Sequence, residues 1–117
     1  MFSKEELMRE EWRPIPGHED YMISNLGRIM GKGGWLLRSA LRSYGGRKYI
    51  HVILDGKTER VHRLVALAYL ENDDPERKRE VHHKNHITTD NRAVNLEWCD
   101  RSYNLRNRRP YKVRRRA

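Results

Sequence analysis

The sequence has 117 residues, which is enough for one compact domain with a short appendage and excludes a large multidomain enzyme. Its 25 Lys and Arg residues outnumber its 16 Asp and Glu residues, giving a formal net charge of +9. Eight of the basic residues lie in 101–117, which contains no acid, and removing them leaves residues 1–100 at only +1. A basic tail on a nearly neutral body indicates a partner rich in phosphates, such as nucleic acid.

Membrane insertion and secretion are not indicated. No apolar run approaches the roughly 20 residues of a transmembrane helix, and no lipidation motif closes the sequence. Residues 1–11 are charged throughout and lack the apolar stretch of a secretory signal, while the single Cys99 cannot form an intrachain disulfide. We therefore expect no membrane partner and a reducing, cytoplasmic location.

The first half of the chain is expected to be rich in short strands. Residues 3–11 begin with Ser3, a good N-cap, and continue with helix formers, which predicts a short helix or a frayed arm. From 12 to 48 Pro and Gly are frequent, and this pattern predicts a small, strongly turned sheet. Its clearest strand candidates are 21–23 and 28–30.

A β-hairpin is predicted next. Residues 49–54 alternate and are β-branched, Asp55-Gly56 is a strong two-residue turn, and 57–61 return. The spacing then becomes helical over 62–70, so that the hairpin leads directly into a helix that should pack on the sheet.

One face of that helix is expected to carry its apolar residues. Leu64, Val65 and Ala68 fall on this face at helical spacing, with Leu67 as a further candidate.

The segment 81–108 has a different organisation, in the order strand, loop, strand, helix. A short strand opens at Val81, residues 84–94 are a polar loop, and residues 96–99 form a second strand. Asp100 then caps a helix that runs to about residue 108.

Histidines concentrate at the end of the first of these strands. His82, His83 and His86 are half of the protein's six histidines. Because neighbouring strand residues point to opposite sides, one of the paired histidines can face the helix while the other addresses substrate. Asn104, four residues after the cap Asp100, places a side-chain oxygen where it could complete a metal site.

The spacing His82-His83-x11-Asn95-Leu96-x7-Asn104, together with the tetrapeptide Asn-Leu-Glu-Trp, resembles the ββα-metal motif of HNH endonucleases, especially the phage intron-encoded homing type. Segments 11–21 and 23–29 are similar to the small N-terminal module that accompanies those nucleases, and 61–66 to the stretch that commonly precedes their nuclease motif. The resemblance covers about residues 12–108.

The resemblance implies an α+β fold in which a small antiparallel β-rich module precedes the ββα-metal (His-Me finger) motif. It implies metal-dependent DNA hydrolysis that leaves 5′-phosphate and 3′-hydroxyl ends. His83 matches the general base, His82 and Asn104 the metal ligands, and Asn95 the residue that holds the loop. Asn107, one turn beyond Asn104, is the rival for the helix ligand.

The implied cofactor is a single Mg²⁺ or Mn²⁺ ion. Many relatives carry Asp or Asn where this chain has His82, and an imidazole should admit Co²⁺, Ni²⁺ or Zn²⁺ more readily. The implied partner is double-stranded DNA, the setting is a phage protein in the host cytoplasm, and monomer versus homodimer stays open. Residues expected to contact DNA phosphates are the basic ones of the final helix and tail, namely Arg101, Arg106, Arg108, Arg109, Lys112, Arg114, Arg115 and Arg116.

Two other interpretations stay open. His82, His83, His86 and Cys99 could form a structural zinc site, although their spacing departs from the usual paired-ligand patterns. Alternatively, the chain could be a DNA-binding module that keeps the nuclease fold without catalysis. The expected division of the chain is 1–11 helix or arm, 12–48 β-rich module, 49–80 hairpin, helix and linker, 81–108 nuclease motif, and 109–117 basic tail.

Overall fold

In the computed structural model, which describes residues 2–107, three small antiparallel sheets surround one central helix. The first sheet has the order β1-β2-β3, the second β4-β5-β6 and the third β7-β8. The elements in chain order are α1 (Lys4–Met8), β1 (Trp12–Ile15), β2 (His18–Ser24), β3 (Ile29–Met30), β4 (Ala40–Tyr44), β5 (Arg47–Leu54), β6 (Lys57–Arg60), α2 (Val61–Tyr69), β7 (Glu80–His83), a 3₁₀ turn (Ala93–Asn95), β8 (Leu96–Cys99) and α3 (Arg101–Asn107).

The predicted N-terminal helix is confirmed, with both arms of a capping box. The Ser3 hydroxyl accepts the Glu6 N–H at 3.0 Å, and the Glu6 carboxylate accepts the Ser3 N–H at 3.0 Å. The helix is shorter than the expected 3–11 because its last residues are drawn into tertiary contacts. Glu10 forms an ion pair with Arg28, and the Glu11 carbonyl accepts the Asn25 N–H at 3.1 Å.

The first sheet contains the two predicted strands and one more, β1. Proline cannot donate to a sheet ladder, so Pro14 argued against a strand at this position. In the structure Pro14 pairs with Met22, and the register shifts between Pro14 and Ile15. Ile15 and Ile23 are fully buried, which fixes this sheet against the core.

The second sheet corrects the expected boundary between residues 48 and 49, which falls inside β5. Gly45 and Gly46 have φ angles of +54° and +82°, so they form a tight hairpin between β4 and β5 rather than a break between modules. The predicted turn at Asp55-Gly56 is confirmed, with φ angles of +49° and +79°. β4 was not predicted from the sequence. Leu41 and its neighbours are exposed, so this strand lacks the alternation of buried and exposed residues by which a strand is recognised.

Helix α2 lies at the centre of the fold and contacts strands of all three sheets. Leu64, Val65 and Ala66 are at most 1% exposed and pack in one apolar cluster with β-strand residues of every sheet. The placement of Leu67 on the apolar face is wrong, since its side chain is 50% exposed. Successive helix positions differ by about 100°, so residue 67 turns away from the stripe that Leu64 and Val65 define.

The predicted strand, loop, strand and helix of the C-terminal part are confirmed. β7 pairs with β8 from Glu80↔Cys99 to His83↔Leu96, and the polar loop joins them. The Asp100 carboxylate accepts the Tyr103 N–H at 2.6 Å and so caps α3, as expected. The chain is thus a mixed α and β structure with antiparallel sheets. Within residues 2–107, every helix is too short or too polar to cross a bilayer.

Candidate active site

A pocket opens where β7, the start of α2 and the first turn of α3 meet the second sheet. His82 and His83 line it from β7, His62 from α2 and Asn104 from α3. Thus the structure brings together three of the four predicted catalytic and metal-binding side chains in one cleft, while the fourth, Asn95, ends the 3₁₀ turn before β8 and does not line the cleft.

His83 is buried at the end of β7, with a relative exposure of 5%. Its Nε2 lies 2.8 Å from Oδ1 of Asn91, which is itself 6% exposed. Its ring lies 5.1 Å from the ring of His62. Burial lowers the pKa of His83, the hydrogen bond to Asn91 opposes this, and the His82 charge lowers it again, so the ring is neutral at pH 7.

His62 is the second buried imidazole of the pocket, with a relative exposure of 5%. It stacks on Tyr49, with ring centroids 5.4 Å apart. Burial lowers its pKa to about 3, with smaller contributions from His83 and Arg60. A neutral ring therefore stands beside His83 throughout the physiological range.

His82 points to the other side of the strand, toward α3. Its ring meets the ring of Tyr103 edge-on at 5.8 Å and that of His86 at 5.2 Å. The two neighbouring histidines therefore face different helices, as the alternation of a strand requires. His86 occupies a left-handed backbone position, with φ of +63°, at the start of the loop.

Asn104 approaches the same cleft from the first turns of α3. Its Nδ2 donates to the Glu80 carboxylate at 2.9 Å, which leaves its Oδ1 as the acceptor available to a cation. Asn107 is exposed, its amide donates to the Tyr103 carbonyl at 2.9 Å, and it does not line the pocket. Of the two asparagines, Asn104 is therefore the one that lines the same pocket as His82.

The donor set suits a divalent cation that keeps most of its water. His82 and Asn104 offer one imidazole nitrogen and one amide oxygen in a partly open cleft, with the Glu80 carboxylate bonded to Asn104. Hard divalent ions are commonly held by few protein ligands plus water and substrate phosphate. These residues therefore fit the predicted metal.

Asn95 is 6% exposed and holds the loop between β7 and β8 through several hydrogen bonds. Its Nδ2 donates to Oδ1 of Asn85 and to the Asp90 carbonyl, each at 2.9 Å, and its Oδ1 accepts the Asn85 N–H at 3.1 Å. Its carbonyl also accepts the Lys84 N–H at 2.8 Å. One side chain thus closes a loop of about ten residues.

Sequence reasoning missed two arginines and one asparagine of this region. Arg47 and Arg60 line the pocket from the second sheet, because residues 47 and 49 share a face of β5 and Arg60 is opposite His51 on the same face. The alternation of the hairpin could have placed them there. Asn91 gave no signal beyond its position in a polar loop.

The predicted DNA contacts divide into two groups. Arg101 and Arg106 are exposed on α3. The other six fall outside the described residues and are Arg108, Arg109, Lys112, Arg114, Arg115 and Arg116.

The structural zinc interpretation does not fit the coordinates. Within residues 2–107, no three His, Cys, Asp or Glu side chains are grouped so that they could hold a metal. Cys99 is 3% exposed and pairs with Glu80, at the end of the hairpin opposite to His83. Cys99 is therefore a core residue, and its burial raises the pKa of the thiol to about 11.

A hairpin and helix that bring a histidine pair and an asparagine to one cleft define the ββα-metal architecture of HNH nucleases. Residues 10–58 also match the NUMOD4 motif. Two HNH endonucleases of Acanthamoeba polyphaga mimivirus are 40% and 34% identical, over 82% and 83% of this chain and 25% and 29% of their own length.

The DNA endonuclease I-HmuI of Bacillus phage SP01 is 34% identical over 83% of this chain and 56% of its own. A solved structure showing DNA binding and cleavage by the HNH homing endonuclease I-HmuI matches the fold with a TM-score of 0.68 at 33% identity, over 83% of this chain and 56% of that one. The resemblance predicted from the sequence is confirmed, and the chain is a relative of HNH endonucleases. It spans between a quarter and just over half the length of the relatives it matches.

Proposed function

We propose that this chain is a metal-dependent DNA endonuclease that hydrolyses phosphodiester bonds and leaves 5′-phosphate and 3′-hydroxyl ends. The observation that carries the proposal is the single cleft in which a buried neutral imidazole, His83, stands beside a candidate cation site formed by His82 and Asn104. The relationship to DNA endonucleases of the HNH class supports the choice of DNA as substrate.

His83 is the general base in this proposal. Its ring is neutral at pH 7 because burial lowers its pKa, so a lone pair is available to take a proton from the attacking water. The histidine is held by a hydrogen bond to Asn91 and by contact with the His62 ring. A fixed, unprotonated ring suits proton abstraction at neutral pH.

His82 and Asn104 would hold Mg²⁺ or Mn²⁺, with Co²⁺, Ni²⁺ or Zn²⁺ admitted because one ligand is an imidazole. The chemistry that such an ion would supply when bound is Lewis-acid stabilisation of the charge on the phosphate and the leaving 3′-oxygen. Glu80 orients the Asn104 amide through the 2.9 Å hydrogen bond to its nitrogen, so that the amide oxygen would be the atom that serves as a ligand.

The charge of the cleft suits a phosphodiester backbone. Arg47, Arg60 and Arg63 line it, and Glu80 is its single lining carboxylate among the described residues. Arg63 also donates to the Arg79 carbonyl at 2.6 Å, which fixes it near the strand β7. Guanidinium groups at these positions would neutralise the phosphates on either side of the scissile bond.

The partner is double-stranded DNA in this proposal, and the exposed Arg101 and Arg106 extend the basic surface along α3. A chain with one ββα motif has one active site. Cleavage of both strands would therefore require two copies of the chain or two successive events.

A plasmid-nicking assay tests the proposal. The purified chain is incubated with supercoiled plasmid and Mg²⁺, Mn²⁺ or EDTA, and we expect nicked or linear product with the metals and none with EDTA. His83→Ala should reduce cleavage by about 100-fold or more, because general-base catalysis is worth that factor, while DNA binding in EDTA stays within about twofold of wild type. The ends of the product are mapped on a defined duplex.

His18→Ala is the matched control, since His18 lies in β2 beside Asp55 and Glu59 and outside the cleft. Cleavage that persists in His83→Ala would refute the role of His83. Metal-independent binding without product in the wild type would instead favour a DNA-binding module that has the fold but not the activity.

A further inference from the structure

We propose that Asn91 is a positioning residue that sets the tautomer and orientation of the His83 ring. The inference rests on the base role proposed above for His83, and it adds a residue from the loop between β7 and β8. Asn91 would not touch substrate. It would act by deciding which nitrogen of His83 can accept a proton.

The contact between the two side chains carries the argument. His83 Nε2 and Asn91 Oδ1 are 2.8 Å apart, and the residues are 5% and 6% exposed. An amide oxygen only accepts hydrogen bonds, so the neutral imidazole must carry its hydrogen on Nε2. The opposite tautomer would bring two lone pairs together where water cannot relieve them. The lone pair therefore resides on Nδ1, and Nδ1 is the basic atom.

Asn91 is itself held by the N-terminal part of the chain. The next-but-one residue, Ala93, donates its N–H to the Asn25 carbonyl at 2.8 Å. Gly27 lies so close that a Cβ added to it would be 3.0 Å from the Cβ of Asn91. The turn of the first sheet is thus packed directly against the residue that contacts His83.

The charged neighbours of Asn91 secure the same stretch of loop. Arg92 pairs with Asp90 at 2.7 Å and reaches Glu6 of α1 at 3.1 Å. These ion pairs link the N-terminal helix to the loop on either side of Asn91. The loop cannot shift along the strand without breaking them.

The His83 ring is also held by packing against other rings. His62 lies 5.1 Å away and stacks on Tyr49, so the ring of His83 has a packed neighbour from α2. Packing against these rings does not select which nitrogen of His83 is protonated, whereas the hydrogen bond to Asn91 does.

Nuclear magnetic resonance on the ¹⁵N-labelled full chain without metal tests the proposal directly, since the protonated and unprotonated ring nitrogens differ in ¹⁵N shift. We expect His83 to be the Nε2–H tautomer in the wild type at pH 7.5 and in Asn91→Asp, which retains an acceptor oxygen. In Asn91→Leu, which has a similar shape and no acceptor, we expect a mixture of tautomers. A wild-type spectrum with Nδ1–H would overturn the proposal.

Kinetics on the same variants supply the second measurement. In Asn91→Leu we expect the single-turnover rate at saturating DNA to fall about 10- to 100-fold, the range for residues that orient a functional histidine, with half-saturation unchanged within about twofold. Asn91→Asp should recover part of the lost rate. Thr89→Val, an exposed substitution in the same loop, is the matched control and should behave as wild type.

A rate loss in Asn91→Leu without a change of tautomer would show a merely structural role and would refute the inference, as would an unchanged rate. Failure of the proposed function has a different signature. In that case the wild type and Thr89→Val would leave DNA uncut with Mg²⁺ and Mn²⁺, whereas the tautomer measurement does not depend on cleavage.

Discussion

The two sheets that precede α2 and the hairpin β7–β8 contribute very differently to the apolar core. Among the described residues, the first two sheets supply five buried strand residues to the core cluster, whereas the hairpin supplies two, Val81 and Leu96. The 84–95 loop is held instead by amides and ion pairs, chiefly those of Asn95 and Arg92. Apolar burial therefore supplies the stability, and directional polar contacts supply the geometry of the cleft.

This division predicts that the largest loss of stability comes from the centre of the core. Leu64→Ala should lower the free energy of unfolding by about 2–5 kcal/mol, because it removes fully buried methyl groups and leaves a cavity beneath all three sheets. Urea unfolding followed by circular dichroism measures the change. Leu67→Ala, on the same helix but half exposed, is the control and should cost much less.

A smaller loss is expected on acidification, because the pKa of His62 falls to about 3 in the folded chain from an ordinary value of 6.5. Between these values the unfolded chain binds a proton that the folded chain does not, so stability is complete above pH 6.5 and declines as the pH falls toward 3. From pH 6.5 to 5 the loss should be roughly 1.5 kcal/mol from this residue.

Urea titrations at several pH values measure the loss. In His62→Gln the free energy of unfolding should depend less steeply on pH, because one fewer proton is taken up on unfolding. His83, whose pKa is also lowered, adds to the trend in the same direction. A stability that stays level between pH 6.5 and 5 would contradict the buried, neutral state of these rings.

The smallest effect on stability is expected from substituting either of two glycines that have similar backbone conformations. These substitutions also best separate the N-terminal sheets from the nuclease hairpin. Gly17 and Gly27 have φ angles of +83° and +88°, so alanine at either position should cost about 1 kcal/mol in backbone strain. The Cβ that Gly17→Ala adds would have no atom within 4 Å, whereas the Cβ that Gly27→Ala adds would lie 3.0 Å from the Cβ of Asn91. Only Gly27→Ala should also slow DNA cleavage, which the nicking assay measures alongside thermal unfolding.

An equal cleavage rate in the two glycine variants would show that the first sheet merely adjoins the nuclease loop. A rate loss confined to Gly27→Ala would show that the N-terminal part of the chain adjusts the cleft.

Local patterns in the sequence were sufficient for much of the fold. The capping box at Ser3, the Asp55-Gly56 turn and the strand–loop–strand–helix order after residue 80 depend on near neighbours, and the structure confirms them. β1 and β4 each pair with the next strand through a tight turn, at Ile15↔His18 and Tyr44↔Arg47, but Pro14 and the exposed Leu41 interrupt the alternating pattern by which a strand is recognised. The exposure of Leu67 likewise follows from how α2 sits among three sheets.

The sequence predicted only those residues of the candidate site that have the spacing of the HNH motif. His82, His83 and Asn104 have a recognisable spacing, and the structure places them in one cleft, whereas their catalytic roles stay a prediction. Arg47 and Arg60 come to the cleft from the second sheet, and Asn91 contacts His83 from the loop between β7 and β8. Their positions depend on sheet register and on the packing of a turn against a loop, which spacing along the chain does not contain.

The central position of α2 has a consequence for synthesis of the chain on the ribosome. The buried face of this helix is completed by Val81 and Leu96, which are translated after it. A nascent chain that has emerged only as far as residue 70 therefore exposes apolar surface that its own completed sheets do not cover. The NUMOD4 match ends at residue 58, before α2 begins, so the boundary of that motif does not coincide with the boundary of the apolar core.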